Sequence, residues 1–298
     1  MSLGKGNMCF HNNLSEDSAT EMTTQVNYLR LMKYPGAKTS IIPDIDEVFK
    51  RSGKRSFVDV FGGSGSVSLN MKFGTVIYND LDPELVNLFR AIQHDSALLV
   101  DLLYDALDSY EFRRGRKSTS EDKIPRSVAT MKPSIPAGRH GKVPDVGAAA
   151  QTILRFTMSF GGMGDTYGTK EKAAKGYLKR TISMMPKISE KVSGWTIENL
   201  DFRALINKYD SNGTFFYLDP PYSDRNWYGS NFRETDYEDL RDILKNMKGK
   251  YLLTVDAHDD LLEDIFGDPD YIKAYENRNQ DPSRGTKPPR TKAFYTNV

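Results

Sequence analysis

Ser56-Phe57-Val58-Asp59-Val60-Phe61 runs straight into Gly62-Gly63-Ser64-Gly65-Ser66, and that junction decides the fold. The first stretch is a short apolar run of the kind that forms a buried strand. The second is a turn whose glycines let backbone approach a ligand closely. Val67 to Lys72 reads as the start of a helix, Thr75-Val76-Ile77-Tyr78-Asn79 as the next strand, and Pro83 to Ile92 as another helix. On the other side, Ile41, Ile42, Ile45, Val48 and Phe49 recur at helical spacing, which predicts an amphipathic helix over Thr39 to Arg51. Strands and helices alternating in this way are βαβ units, here half of a doubly wound parallel sheet.

The regularity then stops. Asp95 to Tyr110 reads as helix, Arg113 to Val146 as a long stretch rich in Pro, Ser and Lys/Arg, and Gly147 to Phe160 and Ala173 to Lys191 as helices. The sheet resumes with Trp195-Thr196-Ile197, a helix over Phe202 to Lys208, and the strand Thr214-Phe215-Phe216-Tyr217-Leu218. A helix near Tyr237 to Met247, a strand Tyr251 to Val255, a helix Asp259 to Phe266 and strands at Tyr271 to Tyr275 and Ala293 to Asn297 follow. The expected class is therefore α/β. A doubly wound sheet domain occupies 33–94 and 195–298, a mainly helical insertion 95–194, and a polar tail, expected to be disordered, 1–32.

Composition removes several classes. With 298 residues, 38% of them hydrophobic, and no long apolar run, the chain can bury a full core and offers no membrane span. No secretory signal is evident, and the expected location is the cytoplasm. Cys9 is the only cysteine, so disulfides and cysteine-built metal sites are out, and His11, His94, His140 and His258 lack ligand spacing; no metal is expected. The formal charge is only +1, but its distribution is uneven. Arg113, Arg114, Arg116 and Arg139 belong to one basic run, and Lys273, Arg284, Arg290 and Lys292 to another, each a candidate face for a polyanion.

The glycine turn is not G-x-G-x-x-G and lacks the Gly-Lys-Ser/Thr ending of a triphosphate cradle. Asp80, at the end of the following strand, stands where an acid takes the hydroxyls of a ribose. A nucleoside-bearing cofactor fits, with NAD and S-adenosylmethionine both open at this point. Asp219-Pro220-Pro221-Tyr222, at the end of the Thr214 strand, separates them. Two prolines hold the chain stiff and extended. A carboxylate, an unpaired carbonyl and an aromatic ring are thereby fixed on one rim. Hydride transfer has no use for that set, whereas methyl transfer to an exocyclic amine does. Hydrogen bonds from the amine to the Asp219 carboxylate and the Pro220 carbonyl favour a pyramidal nitrogen while Tyr222 stacks on the base. Orientation of this kind can contribute roughly 7–11 kcal/mol.

Lys33-Tyr34-Pro35-Gly36-Ala37-Lys38, Phe57 to Ser66, Asn79-Asp80 and Asp219 to Tyr222, taken in that order, resemble the Dam-type adenine-specific DNA methyltransferases. The resemblance covers Lys33 to about Asp95 and Trp195 to the C-terminus. It implies a Rossmann-like methyltransferase sheet, S-adenosylmethionine as cofactor, double-stranded DNA as substrate and a flipped adenine. It implies that Tyr34, Gly36 and Lys38, with Asp59, Phe61, Gly63, Gly65 and Ser66, serve the cofactor. Asp80 then binds its ribose, Asp201-Phe202 line the adenosyl pocket, and Asp219 meets the amine. A cognate restriction endonuclease is a candidate partner, with the restriction-linked and orphan alternatives both open. In the insertion the chain departs from the family pattern, reading Arg155 to Gly168 in place of an asparagine-rich stretch and Pro-Phe-Gly, so the family's GATC target is not carried over. Arg113, Arg114, Arg116, Arg139, Tyr167, Asn226, Trp227, Arg284 and Arg290 are the candidate DNA contacts. Alternatives are methylation of adenine in RNA, of the 4-amino group of cytosine or of protein glutamine, and an inactive DNA-binding subunit.

Overall fold

The structure is a computed structural model and describes residues 27–36, 38–72, 74–112, 143–159, 171–221, 232–275 and 289–298. Its strands are β1 Ser56–Asp59, β2 Thr75–Asn79, β3 Thr196–Glu198, β4 Thr214–Leu218, β5 Lys250–Asp256, β6 Tyr271–Tyr275 and β7 Arg290–Thr296. They form one sheet in the order β3-β2-β1-β4-β5-β7-β6. The first five run parallel, while β7 lies antiparallel between β5 and β6. Strand order reverses direction between β1 and β4, and in open α/β sheets ligands bind outside the carboxyl ends of the strands at that switch.

β1 and β4 are buried on both faces, as central parallel strands should be. Phe57, Phe215 and Tyr217 point to the layer formed by α1, Ile42–Ser52, through Ile42, Ile45, Val48 and Phe49. Val58, Phe216 and Leu218 point the other way, toward α5 (Phe202–Tyr209), α6 (Glu234–Asn246) and α7 (Asp260–Phe266). Each fully buried aromatic or aliphatic side chain contributes about 1.5–3 kcal/mol, so this two-sided burial holds the carboxyl edge rigid.

The remaining helices are α2 (Pro83–Phe112), α3 (Val146–Met158) and α4 (Glu171–Ser193). They share a third core with Val76 and Tyr78 of β2, in which Tyr78, Phe89 and Trp195 form an aromatic cluster with centroids 4.4–5.8 Å apart. α2 kinks at Asp95, where φ is −152°. The Asp95 carboxylate accepts from Leu98 N–H at 2.9 Å and so caps the second half of the helix.

The structure corrects the sequence reading at Val67 to Lys72, expected to start a helix. Ser66 to Asn70 instead forms a run of turns. The Asn70 amide donates to Ser66 O at 2.8 Å and to Leu29 O at 2.9 Å, while its oxygen accepts from Leu29 N–H at 2.7 Å. That side chain ties the turn to the residues before α1 in place of a continuing helical ladder. β1 is also shorter than expected, because Val60 and Phe61 already belong to the turn.

Candidate active site

Parallel register brings two loops together. Asp59, the last residue of β1, lies beside Tyr217, and Val60 N–H donates to Tyr217 O at 3.0 Å. The glycine turn after β1 and Asp219 after β4 are therefore neighbours on one edge.

The turn is built for close approach. A Cβ at Gly62 would sit 2.2 Å from the Tyr78 ring, and one at Gly65 2.6 Å from Phe89, so side chains are excluded from within the protein. Gly63 and Gly65 also have φ of +52° and +67°, a region other residues seldom adopt. The Tyr34 ring lies 3.3 Å from where a Gly63 Cβ would be, and stands edge-on to Phe156 with centroids 5.0 Å apart. Asp80 accepts from Gly63 N–H at 2.7 Å on one oxygen and from Asp82 N–H at 2.8 Å on the other. Each oxygen keeps acceptor capacity for a hydroxyl. Asn79 braces the same edge, donating to Val60 O and Leu200 O at 2.9 and 3.0 Å and accepting from Leu200 N–H at 2.9 Å.

Three carboxyl groups meet at this edge. Burial pushes the carboxyl of Asp59 up to about 7, against the Ser68 hydroxyl that donates to it at 2.6 Å and with added repulsion from Asp219 and Asp80. Half-buried Asp80 is pushed up to about 6, again by desolvation first, against the backbone N–H groups it accepts from. Asp219 is paired: the Lys38 ammonium donates to its Oδ2 and also to Gly36 O at 3.1 Å, while Lys38 N–H donates to Ser66 Oγ at 3.2 Å. Beneath the rim, the Thr254 hydroxyl of β5 lies 3.5 Å from Asp219 Oδ1 and 3.1 Å from the Tyr217 hydroxyl.

An aromatic wall closes one side. Phe61 lies against Phe202 and Phe232 at 5.9 and 5.7 Å, and Phe202 and Phe232 are 5.4 Å apart. Asp201 is exposed; it caps α5 by accepting from Arg203 N–H at 2.9 Å and pairs with the Arg203 guanidinium. That guanidinium lies 4.3 Å over the Phe202 ring and also holds Asp236 and Asp239 at the start of α6.

The structure thus brings together Tyr34, Gly36, Lys38, Asp59, Phe61, Gly63, Gly65, Ser66, Asp80, Asp201, Phe202, Asp219, Pro220 and Pro221. Tyr222, Arg113, Arg114, Arg116, Arg139, Tyr167, Asn226, Trp227 and Arg284 lie outside the described residues. Arg290 is exposed at the start of β7. Of its neighbours in the second basic run, Lys273 is exposed and pairs with Asp44, Lys292 is buried with Asp256 4.0 Å away, and Arg278, Arg284 and Lys287 lie outside the described residues. Arg203, Thr254, Phe232 and Tyr237 escaped the sequence reading. A signal existed for the last two, an aromatic just before a helix start and another at its fourth position. Among the described residues no cluster of His, Cys, Asp or Glu could hold a metal, and no helix is long and apolar enough to cross a membrane.

The site is thus a doubly wound α/β sheet whose switch point joins a glycine turn to an Asp-Pro-Pro rim, the place where such sheets bind ligands. Residues 34–280 match the D12 class N6 adenine-specific DNA methyltransferase family, and the chain belongs to it as an enzyme that methylates adenine in DNA. The Type II methyltransferase M1.LlaDCHI of Lactococcus lactis subsp. cremoris is 23% identical over 294 residues, which cover 92% of this chain and 96% of that protein.

Proposed function

We propose that the methyl donor is S-adenosylmethionine and that the enzyme methylates the 6-amino group of an adenine flipped out of duplex DNA. The observation that carries this is the Lys38–Asp219 pair beside the glycine cradle. Asp219 already accepts from a nitrogen of the chain itself, where the reading puts adenine's amine. The glycine turn offers bare backbone to the cofactor, since Gly62 and Gly65 have no room for a Cβ beside Tyr78 and Phe89.

When bound, S-adenosylmethionine supplies a methyl group on a positively charged sulfur, open to direct displacement. The rest is done by the chain. Asp80 takes the ribose hydroxyls, Tyr34 and Phe202 flank the adenosyl group, and Asp219 with the Pro220 carbonyl grips the adenine amine while Tyr222 stacks on the ring. Unstacking the base costs a few kcal/mol, offset by that stacking and the pocket hydrogen bonds.

Residues 95–194 serve as the target-recognition part, and 33–94 with 195–298 as the catalytic domain. Arg113, Arg114, Arg116, Arg139, Tyr167, Asn226, Trp227, Arg284 and Arg290 supply DNA contacts. The enzyme works in the cytoplasm as the modification half of a restriction system.

Two measurements test this reading. Duplex DNA incubated with the protein and S-adenosylmethionine, digested to nucleosides and weighed by mass spectrometry, should yield N6-methyladenosine in its deoxy form. A methylated cytosine, or product from RNA alone, sinks it. In calorimetry, Asp80→Ala should weaken S-adenosylmethionine binding by roughly tenfold or more, as expected for losing a charged hydrogen-bond partner; unchanged affinity removes Asp80 from the ribose.

A further inference from the structure

We propose that Tyr237 is a positioning residue for methyl transfer, its hydroxyl holding the Pro221 carbonyl and with it the backbone that carries Asp219 and the Pro220 carbonyl. The inference rests on the reading above, in which that carbonyl and carboxylate grip the adenine amine. Pro220 and Pro221 have no N–H, so at these two positions the rim cannot be tied down by its own amide donors. The Asp219 side chain is held by Lys38, but at the two prolines only the carbonyls can be held, and the donor must come from elsewhere. Tyr237 of α6 supplies one: it is fully buried and its hydroxyl donates to Pro221 O.

The donor is itself fixed. Phe232 precedes the N-cap Arg233, and Tyr237 is the fourth residue of the helix, so their edge-to-face contact at 4.6 Å is a hydrophobic staple. Arg233 N–H donates to Asp236 Oδ2 at 2.7 Å, and Arg203 clamps Asp236 and Asp239 to α5. Because Phe232 also touches Phe61 and Phe202, the brace on the rim and the wall beside the glycine turn are one packed unit. A substitution at Tyr237 therefore acts on alignment, where small displacements have large kinetic effects.

The test is Tyr237→Phe, which keeps the staple and deletes the hydroxyl. Single-turnover transfer of labelled methyl to duplex DNA is read beside S-adenosylmethionine affinity, DNA affinity and melting temperature. Tyr295→Phe serves as control; it removes a hydroxyl that donates to Gly267 O at 3.0 Å, a bond of the same kind that the rim does not use. The expected result is a rate lowered roughly 10-fold or more, with both affinities within about twofold of wild type and the control unaffected. A wild-type rate in Tyr237→Phe overturns the inference and leaves the functional reading standing. So does joint collapse of rate, affinities and melting temperature, which is the mark of a structural residue. A wild-type enzyme that labels no DNA overturns the reading, and the inference with it.

Discussion

The Lys38 ammonium and the Asp219 carboxylate, 181 positions apart in the chain, form an ion pair at the carboxyl edge of the sheet, with side chains only 9% and 15% exposed. The pair joins the segment before α1 to the end of β4.

The pair should be visible as thermodynamic coupling. Lys38→Met and Asp219→Asn each leave a charged or polar partner behind in a poorly hydrated place. In denaturant unfolding the double variant should be less destabilised than the sum of the singles, by about 0.5–3 kcal/mol. Strict additivity would mean that the contact carries no stability.

Asp59 sets a pH dependence of stability. Its pKa in the fold, about 7, lies above the ordinary 3.8, so its contribution to stability is complete below about pH 4 and is lost as pH rises to about 7. Asp59→Asn should behave as permanently protonated. Its stability relative to wild type should climb by up to about 1.4 kcal/mol per pH unit through that window and level off above it. A difference that stays flat between pH 4 and pH 7 would show that burial does not strain this carboxyl.

Cofactor binding should respond to the same electrostatics. With Asp80 raised to about 6, binding that needs its ionised form is opposed below that pH. Affinity for S-adenosylmethionine should rise up to roughly tenfold per unit from pH 5 toward pH 6 and flatten above. Calorimetry in buffers of different ionisation heat should detect proton release near pH 6. A pH-independent affinity without release would contradict the assignment.

Two glycines separate cradle from scaffold. Gly65→Ala sets a Cβ 2.6 Å from Phe89 at a φ of +67°, and should lower stability by about 1–3 kcal/mol while reducing cofactor affinity. At Gly176, inside α4, an added Cβ meets nothing within 4 Å. Gly176→Ala should stabilise by about 0.5–1 kcal/mol and leave binding alone. Thermal unfolding with and without cofactor checks both, and equal behaviour of the two variants would refute the distinction.

Much of this architecture is legible in the chain because its signals are local. The apolar runs at Phe57 and Phe215, the glycines after Phe61 and the paired prolines at 220 and 221 each state their geometry within a few residues. The turn at Ser66 to Asn70 is not legible, since it depends on Asn70 reaching Leu29, 41 positions away. β7 inserts between β5 and β6 because of antiparallel pairing that strand propensity cannot rank. Lys38 meeting Asp219, Arg203 gathering Asp201, Asp236 and Asp239, and Tyr237 reaching Pro221 are likewise products of the closed fold. The site's residue types can be read early, but its internal bonding cannot.

The most direct measurement is single-turnover methyl transfer to a duplex containing adenine by wild type and Asp219→Ala, each first saturated with labelled S-adenosylmethionine. Wild type should transfer the label, whereas the variant should bind cofactor with near-normal affinity, melt cooperatively and lose roughly 10²–10³-fold or more in rate, as when a preorganised partner of the reacting group is removed. Transfer by Asp219→Ala at the wild-type rate would contradict the account outright.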